Sequence, residues 1–287
     1  MKQPSRVFLR EVVLRDGIQQ ENILLPLSKK LALIEALTEA GVRDLEITSF
    51  VNPEKVPAMA DAEALFSRLP KEHQGVRYSA LIFNEKGLDR ARKAAAQEVA
   101  VFVSASDTHS RRNMGKGTRD ALEDAVMLIL KAKDAGIRVR AGVSNAFGCT
   151  LEGNVPGQVV LDLVGELMQP DPDEIGLADT SGIGNPCQMR DLIPACRGMI
   201  GDKRLSLHLH NAHGWAFANL LAALDMGVAH FDTSLGGTGG CPFLPGAAGN
   251  LPTEQVHSFL TAMGIHTGID GQRLGSCVQL LRQMLVC

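Results

Sequence analysis

Leu27-Ser28-Lys29-Lys30-Leu31-Ala32-Leu33-Ile34-Glu35-Ala36-Leu37-Thr38-Glu39-Ala40-Gly41-Val42-Arg43-Asp44-Leu45-Glu46-Ile47-Thr48 reads as a helix, a glycine stop and an entering strand. Leu27, Leu31, Ile34 and Leu37 recur at helical spacing, and Gly41 supplies the left-handed residue that ends a helix. The junction recurs as Ala135-Gly136-Ile137 and Met226-Gly227-Val228. The second follows a helical segment that starts at a capping Thr118, the third one that starts near Trp215. Strand-like runs occupy 7–14, 44–48, 77–83, 99–104, 138–143, 174–178, 205–210 and 229–234. Eight such runs separated by helix-length segments predict a parallel sheet.

An open nucleotide-binding sheet would need G-x-G-x-x-G after a strand, and the glycines at 236–240 lack that spacing. Gly115-Lys116-Gly117-Thr118 lacks the upstream glycine of a phosphate loop. Eight units within 287 residues favour closure into an α/β fold of the (β/α)8 TIM-barrel type, one domain over 1–287. An additional C-terminal helix is expected at about 272–285, packed outside.

Composition narrows the function classes. Hydrophobic residues make up 45% and charged residues 21%, enough apolar material for a large core. A net charge of −3, with no basic stripe interleaved with aromatics, argues against a nucleic-acid or membrane partner. Six cysteines, at 149, 187, 196, 241, 277 and 287, form no CxxC pair. Scattered thiols of this kind suit a reducing compartment, and the absence of a signal-peptide core leads to the expectation of a cytoplasmic enzyme.

Ser206-Leu207-His208-Leu209-His210-Asn211 carries the most chemistry. Strand neighbours alternate faces, so Ser206, His208 and His210 face the lumen while the leucines face the helices. Two imidazoles at a strand's C-terminal end can share one metal ion; a hydrogen-bonded pair of barrel histidines is the plain alternative. Leu14-Arg15-Asp16-Gly17 closes the first strand, where catalytic groups of this fold collect. Asp16 offers a hard oxygen ligand and Arg15 a fixed cation for a carbonyl or enolate oxygen, unless the pair is simply a surface turn. Glu46, between two aliphatics in a buried strand, requires a partner, and Arg15 on the adjacent strand is the obvious one. Asp179 ends the sixth strand, as a functional carboxylate or as an Asx turn. Ser104 and Ser106 follow the fourth strand on one face.

Residues 236–250 after the eighth strand form a glycine-rich loop able to close over a ligand. Cys241 within it could deliver a proton, although most loop cysteines are incidental. Asn250 at its end could add an amide oxygen to a metal site. A ligand set of His, Asp and Asn is rich in oxygen and poor in sulfur, and suits Mg²⁺ or Mn²⁺ better than structural zinc.

Taken together, Arg15-Asp16-Gly17-Ile18-Gln19, Glu46-Ile47-Thr48-Ser49-Phe50, His208-Leu209-His210 and Gly239-Gly240-Cys241-Pro242-Phe243 resemble the 3-hydroxy-3-methylglutaryl-CoA lyase family, along nearly the whole chain. The resemblance implies a metal-dependent carbon–carbon lyase acting on an acyl-CoA, and a homodimer. It implies Asp16, His208, His210 and Asn250 as ligands of Mg²⁺ or Mn²⁺. Arg15 would stabilise the enolate, Glu46 would orient Arg15, Cys241 would act as acid or base, and Gln19 and Asp179 would contact substrate or metal-bound groups. Two stretches depart from the mitochondrial-type pattern: Asn211-Ala212-His213-Gly214 replaces Asp-Thr-Tyr-Gly, and Gln20-Glu21-Asn22 replaces Asn-Glu-Lys. These departures keep open a related lyase for another branched acyl-CoA, of citramalyl type. The Arg-Asp and H-x-H motifs alone would also fit a Claisen-type synthase joining acetyl-CoA to a 2-oxo acid.

Overall fold

The computed structural model describes residues 3–19, 24–70, 75–239 and 249–285. Eight parallel strands close on themselves in sequence order. They are β1 (Phe8–Glu11), β2 (Asp44–Ser49), β3 (Arg77–Leu81), β4 (Glu98–Ser104), β5 (Arg138–Ser144), β6 (Glu174–Asp179), β7 (Arg204–Leu209) and β8 (His230–Thr233). Closure comes from β1 against β8, with Phe8 opposite His230 and Glu11 opposite Thr233. Around the barrel run α1 (Leu27–Glu39), α2 (Ala62–Ser67), α3 (Glu85–Lys93), α4 (Asp107–Met114), α5 (Thr118–Asp134), α6 (Gly157–Met168), α7 (Pro186–Ile200), α8 (Ala216–Asp225), α9 (Thr253–Ala262) and α10 (Gly271–Leu285). This is the TIM-barrel architecture that the alternating pattern called for. The additional C-terminal helix is α10, which packs against α1 and α9 outside the barrel. Among the described residues no helix is long and apolar enough to cross a membrane.

The glycine junctions work as expected. Gly41 sits at φ +95°, and a Cβ there would lie 2.6 Å from the carbonyl oxygen of Gly268, so both conformation and space require glycine. Two local expectations are corrected. Thr118 does not cap α5: its N–H is taken by Asp107 Oδ1 at 2.9 Å, while its hydroxyl donates to the carbonyl of Ser104. The first strand does not run to Leu14. It ends at Glu11, and Val13–Gly17 wind into one π-helical turn, with Gly17 N–H reaching Val12 O at 3.2 Å. Glu11 starts that turn by accepting the Val13 N–H at 2.9 Å. Such turns recur at functional sites because they re-aim side chains, and this one carries Arg15 and Asp16.

Aliphatic packing lies between sheet and helices: Leu205, Leu207 and Leu209 of β7 are buried on that side. The lower lumen is ionic. Arg10 bonds Asp44 and Glu174, and Arg140 bonds Asp232, all buried. Removing one partner from such a set costs about 3–5 kcal/mol, because a charge is left buried alone.

Candidate metal centre

At the C-terminal mouth, β7 and the turn after β1 bring His208, His210 and Asp16 together. The ligand atoms of these three residues all lie within 4.8 Å of one another. Asp16 Oδ2 stands 3.8 Å from Nε2 of each histidine, and the two Nε2 atoms are 2.9 Å apart. Two ligands ~2.1 Å from an ion and at right angles to each other stand about 3.0 Å apart, so the imidazole spacing fits adjacent positions of an octahedron.

Asn250 joins them because the chain returning from the glycine-rich loop docks on the end of β7. Asn211 N–H bonds Gly249 O at 3.0 Å, and Leu251 N–H bonds Leu209 O at 3.2 Å. The Asn250 amide nitrogen donates to Asp16 Oδ2 at 2.7 Å and to Thr238 O at 2.8 Å. Its Oδ1 is buried and has no hydrogen-bond partner among the described residues. An orphaned amide oxygen beside a carboxylate and two imidazoles is the donor set that a hard divalent cation takes.

Arg15 donates through Nε to Glu46 Oε1 and through Nη1 to Asp16 Oδ1. Burial works against its charge, but Glu46 and Asp16 outweigh burial and hold the guanidinium firmly protonated. Burial likewise pushes the Asp16 carboxyl up, and Arg15, His208 and His210 together bring it well below the usual carboxylate range. Arg15, Asp16, Gln19, His208 and His210 line one cavity, with Leu81, Phe83, Phe102, Met114 and Ala178 as its apolar wall.

Asp179 is not brought to that cavity, which is lined instead by its neighbours Ala178 and Thr180. Strand alternation turns it outward, where it is fully buried and its Oδ2 accepts the Gly184 N–H at 3.0 Å. Burial raises its carboxyl to about 6, although backbone N–H groups of the following turn pull the other way. Through the Gly184 bond the residue holds the β6–α7 turn. Ser104 does reach the cavity, bonded to His109 Nδ1 at 3.1 Å, whereas Ser106 caps α4 by accepting the His109 N–H. Cys241 lies outside the described residues.

The sequence reading missed Asp232. It is the register partner of His208, and its Oδ2 stands 3.2 Å from His208 Nδ1 and 2.6 Å from Arg140 Nη2. Burial raises its carboxyl, but Arg140, the His208 hydrogen bond and Arg10 prevail and keep it ionised. An aspartate inside the eighth strand was visible in sequence, as was its need for a partner; which strand supplies that partner was not.

Comparison with known proteins agrees with this architecture. The HMGL-like family profile matches residues 6–281. The hydroxymethylglutaryl-CoA lyase YngG of Bacillus subtilis is 36% identical over 285 residues, covering 99% of this chain and 95% of the relative. The 3-hydroxy-3-isohexenylglutaryl-CoA/hydroxy-methylglutaryl-CoA lyase of Pseudomonas aeruginosa is 38% identical over 270 residues, covering 94% and 90%. The structure of an HMG-CoA lyase from Acinetobacter baumannii, in complex with coenzyme A and 3-methylmalate, superposes with a TM-score of 0.94 at 34% identity, covering 98% of this chain and 92% of that one. With a matching profile over almost its entire length and such relatives end to end, the chain belongs to the HMGL-like family.

Proposed function

We propose that this protein is a carbon–carbon lyase that cleaves 3-hydroxy-3-methylglutaryl-CoA to acetyl-CoA and an oxo acid by retro-Claisen chemistry. The observation that carries the reading is the meeting of Asp16, His208, His210 and the orphaned Asn250 oxygen beside the Arg15 guanidinium. The two lyase relatives favour it over the Claisen-type synthase and over the citramalyl-type lyase.

Asp16, His208, His210 and Asn250 would hold Mg²⁺ or Mn²⁺. When bound there, a divalent cation would supply Lewis acidity toward the substrate's 3-hydroxyl. The rest falls to the protein. The hydroxyl proton passes to a base, the O–H electron pair becomes the new carbonyl bond, and the C2–C3 bond breaks with its pair moving into the thioester enolate. Arg15, clamped by Glu46, presents a fixed cation to that enolate oxygen. An acid then returns a proton to the former C2 carbon, and Cys241 on the glycine-rich loop is the group we assign to this step. Gln19 lines the same cavity as Arg15, which supports a contact with substrate. In the same reading the chain is one catalytic domain, acts as a homodimer and works in the cytoplasm. The free thiols of Cys149, Cys187, Cys196 and Cys277 agree with a reducing compartment.

The test is release of acetyl-CoA from a panel of 3-hydroxyacyl-CoAs in the presence of Mg²⁺ or Mn²⁺. Cleavage of the 3-hydroxy-3-methylglutaryl thioester is expected, and loss of turnover in His208→Ala with weakened metal binding. Condensation of acetyl-CoA with a 2-oxo acid, without cleavage of any panel member, would overturn the assignment.

A further inference from the structure

A carboxylate stands at Nδ1 of His208, while its Nε2 faces His210 and Asp16. Asp232 is 2% exposed; its Oδ2 accepts from Arg140 Nη2 at 2.6 Å and stands 3.2 Å from His208 Nδ1. Its Oδ1 stands 3.7 Å from Arg10 Nη1. Arg140 is itself fixed. Its guanidinium lies 5.1 Å from the Phe102 ring centroid, with Glu174 at 3.3 Å and Glu46 at 3.8 Å. Room for that ring comes from Gly142, where a Cβ would fall 2.3 Å from Phe102 Cε1. Glu46 in turn accepts from Arg15 Nε, and Arg15 Nη1 donates to Asp16 Oδ1. The chain of contacts thus returns to Asp16, 3.8 Å from His208 Nε2.

We propose that Asp232, braced by Arg140, is a positioning residue that fixes His208 as its Nδ1–H tautomer and thereby sets the affinity of the metal centre. The inference rests on the metal-centre reading above. A neutral imidazole carries one N–H, and an ionised carboxylate can only accept. A carboxylate facing Nδ1 therefore places the proton on Nδ1 and leaves the Nε2 lone pair directed at His210 Nε2 and Asp16. The opposite tautomer would set a lone pair against a buried anion. Arg140 keeps the carboxylate from swinging, because it reaches the oxygen that His208 uses. Partners of this kind orient the ring and raise the basicity of the ligating nitrogen.

The experiment uses the full-length, metal-free protein as wild type and as Asp232→Asn. Free Mn²⁺ is followed by electron paramagnetic resonance during titration. The His208 ring nitrogens are read by ¹⁵N–¹H correlation spectra in the Mg²⁺-loaded wild type. We expect Mn²⁺ affinity about 10–100-fold weaker in the variant, a proton on His208 Nδ1 in wild type, and a KM for thioester that stays within a few-fold at saturating Mn²⁺. Mn²⁺ affinity within twofold of wild type, or a proton on His208 Nε2 in the loaded wild type, would overturn the proposal. If Asp232→Asn does not fold, the tautomer in the wild type decides alone. Tight Mn²⁺ binding through an Nδ1–H His208 in a protein that cleaves no 3-hydroxyacyl-CoA would remove the lyase reading and leave this one in place.

Discussion

Asn250 donates its side-chain amide to Oδ2 of Asp16 at 2.7 Å, a bond between residues 234 positions apart in the chain. It joins the turn after β1 to the segment that follows the glycine-rich loop. The same side chain leaves its own oxygen buried and, among the described residues, unpartnered. Burying an unsatisfied polar atom costs about 1–3 kcal/mol, which a cation at that oxygen would offset.

Asn250→Ala should therefore weaken metal binding by about tenfold or more and lower turnover in parallel. Asn250→Asp sets a second carboxylate beside Asp16. Its melting temperature should fall below wild type without metal and recover when Mg²⁺ is added. Metal titration and thermal melts check both; an Asn250→Ala protein with wild-type metal affinity would remove Asn250 from the ligand set.

Arg15 is held by a fork that a lysine cannot reproduce. Its Nε serves Glu46 and its Nη1 serves Asp16, and the planar guanidinium spans both where an ammonium is a single point. Arg15→Lys should lower kcat by about 10²-fold or more, the usual loss when a fixed donor to a developing oxyanion is removed. KM should change by only a few-fold. Glu46→Gln should show a smaller fall of the same kind. Initial rates across substrate concentration separate the two constants, and a pure KM effect would show that Arg15 binds substrate without stabilising the enolate.

Much of this was legible in the chain because strands and helix ends leave local marks. Period-two alternation placed His208 and His210 on one face, and glycines such as Gly41 marked the passage from helix to strand. The same alternation, followed through Leu177 and Ala178, points Asp179 outward. The resemblance assigns that residue to substrate or metal-bound groups, and in the structure its Oδ2 accepts the Gly184 N–H. Val12-Val13-Leu14 looked like more of β1, because an apolar run is equally compatible with a buried turn. What bent it was a contact with the Glu11 side chain, which periodicity does not record. Asp232 depends on the register of β7 against β8, a three-dimensional quantity.

Glu11 gives the protein a stability that depends on pH. It is fully buried and accepts Val13 N–H, Leu235 N–H and the Thr253 hydroxyl. Burial raises its carboxyl from 4.5 to about 7, despite the opposing pull of those three donors. A raised acid means that the folded state binds the proton more tightly than the unfolded state. The stabilisation is complete below about pH 4.5, declines as pH rises and is gone above about pH 7, a change on the order of 3 kcal/mol. Glu11→Gln keeps the shape without the titration. Urea unfolding at pH 5 and pH 8 should show wild type losing that much relative to the variant; parallel changes in the two proteins would refute it.

Chelation provides the broadest test. Nε2 of His208 and Nε2 of His210 stand 2.9 Å apart with Asp16 Oδ2 at 3.8 Å from each, an arrangement of lone pairs that a divalent cation stabilises more than solvent does. An ion that binds only the folded protein adds RT ln(1 + [L]/Kd), about 2.7 kcal/mol at one hundred times Kd. In a chain of this size that is a rise in melting temperature of roughly 4–5 °C. Dialysis against a chelator should therefore abolish thioester cleavage and lower the melting temperature, and Mg²⁺ or Mn²⁺ should restore both. His210→Ala should lose the thermal response along with turnover. A wild-type protein whose melting curve ignores both ions at millimolar concentration does not have a metal centre at this mouth of the barrel, and the roles given to Asp16, His208, His210 and Asn250 would fall together.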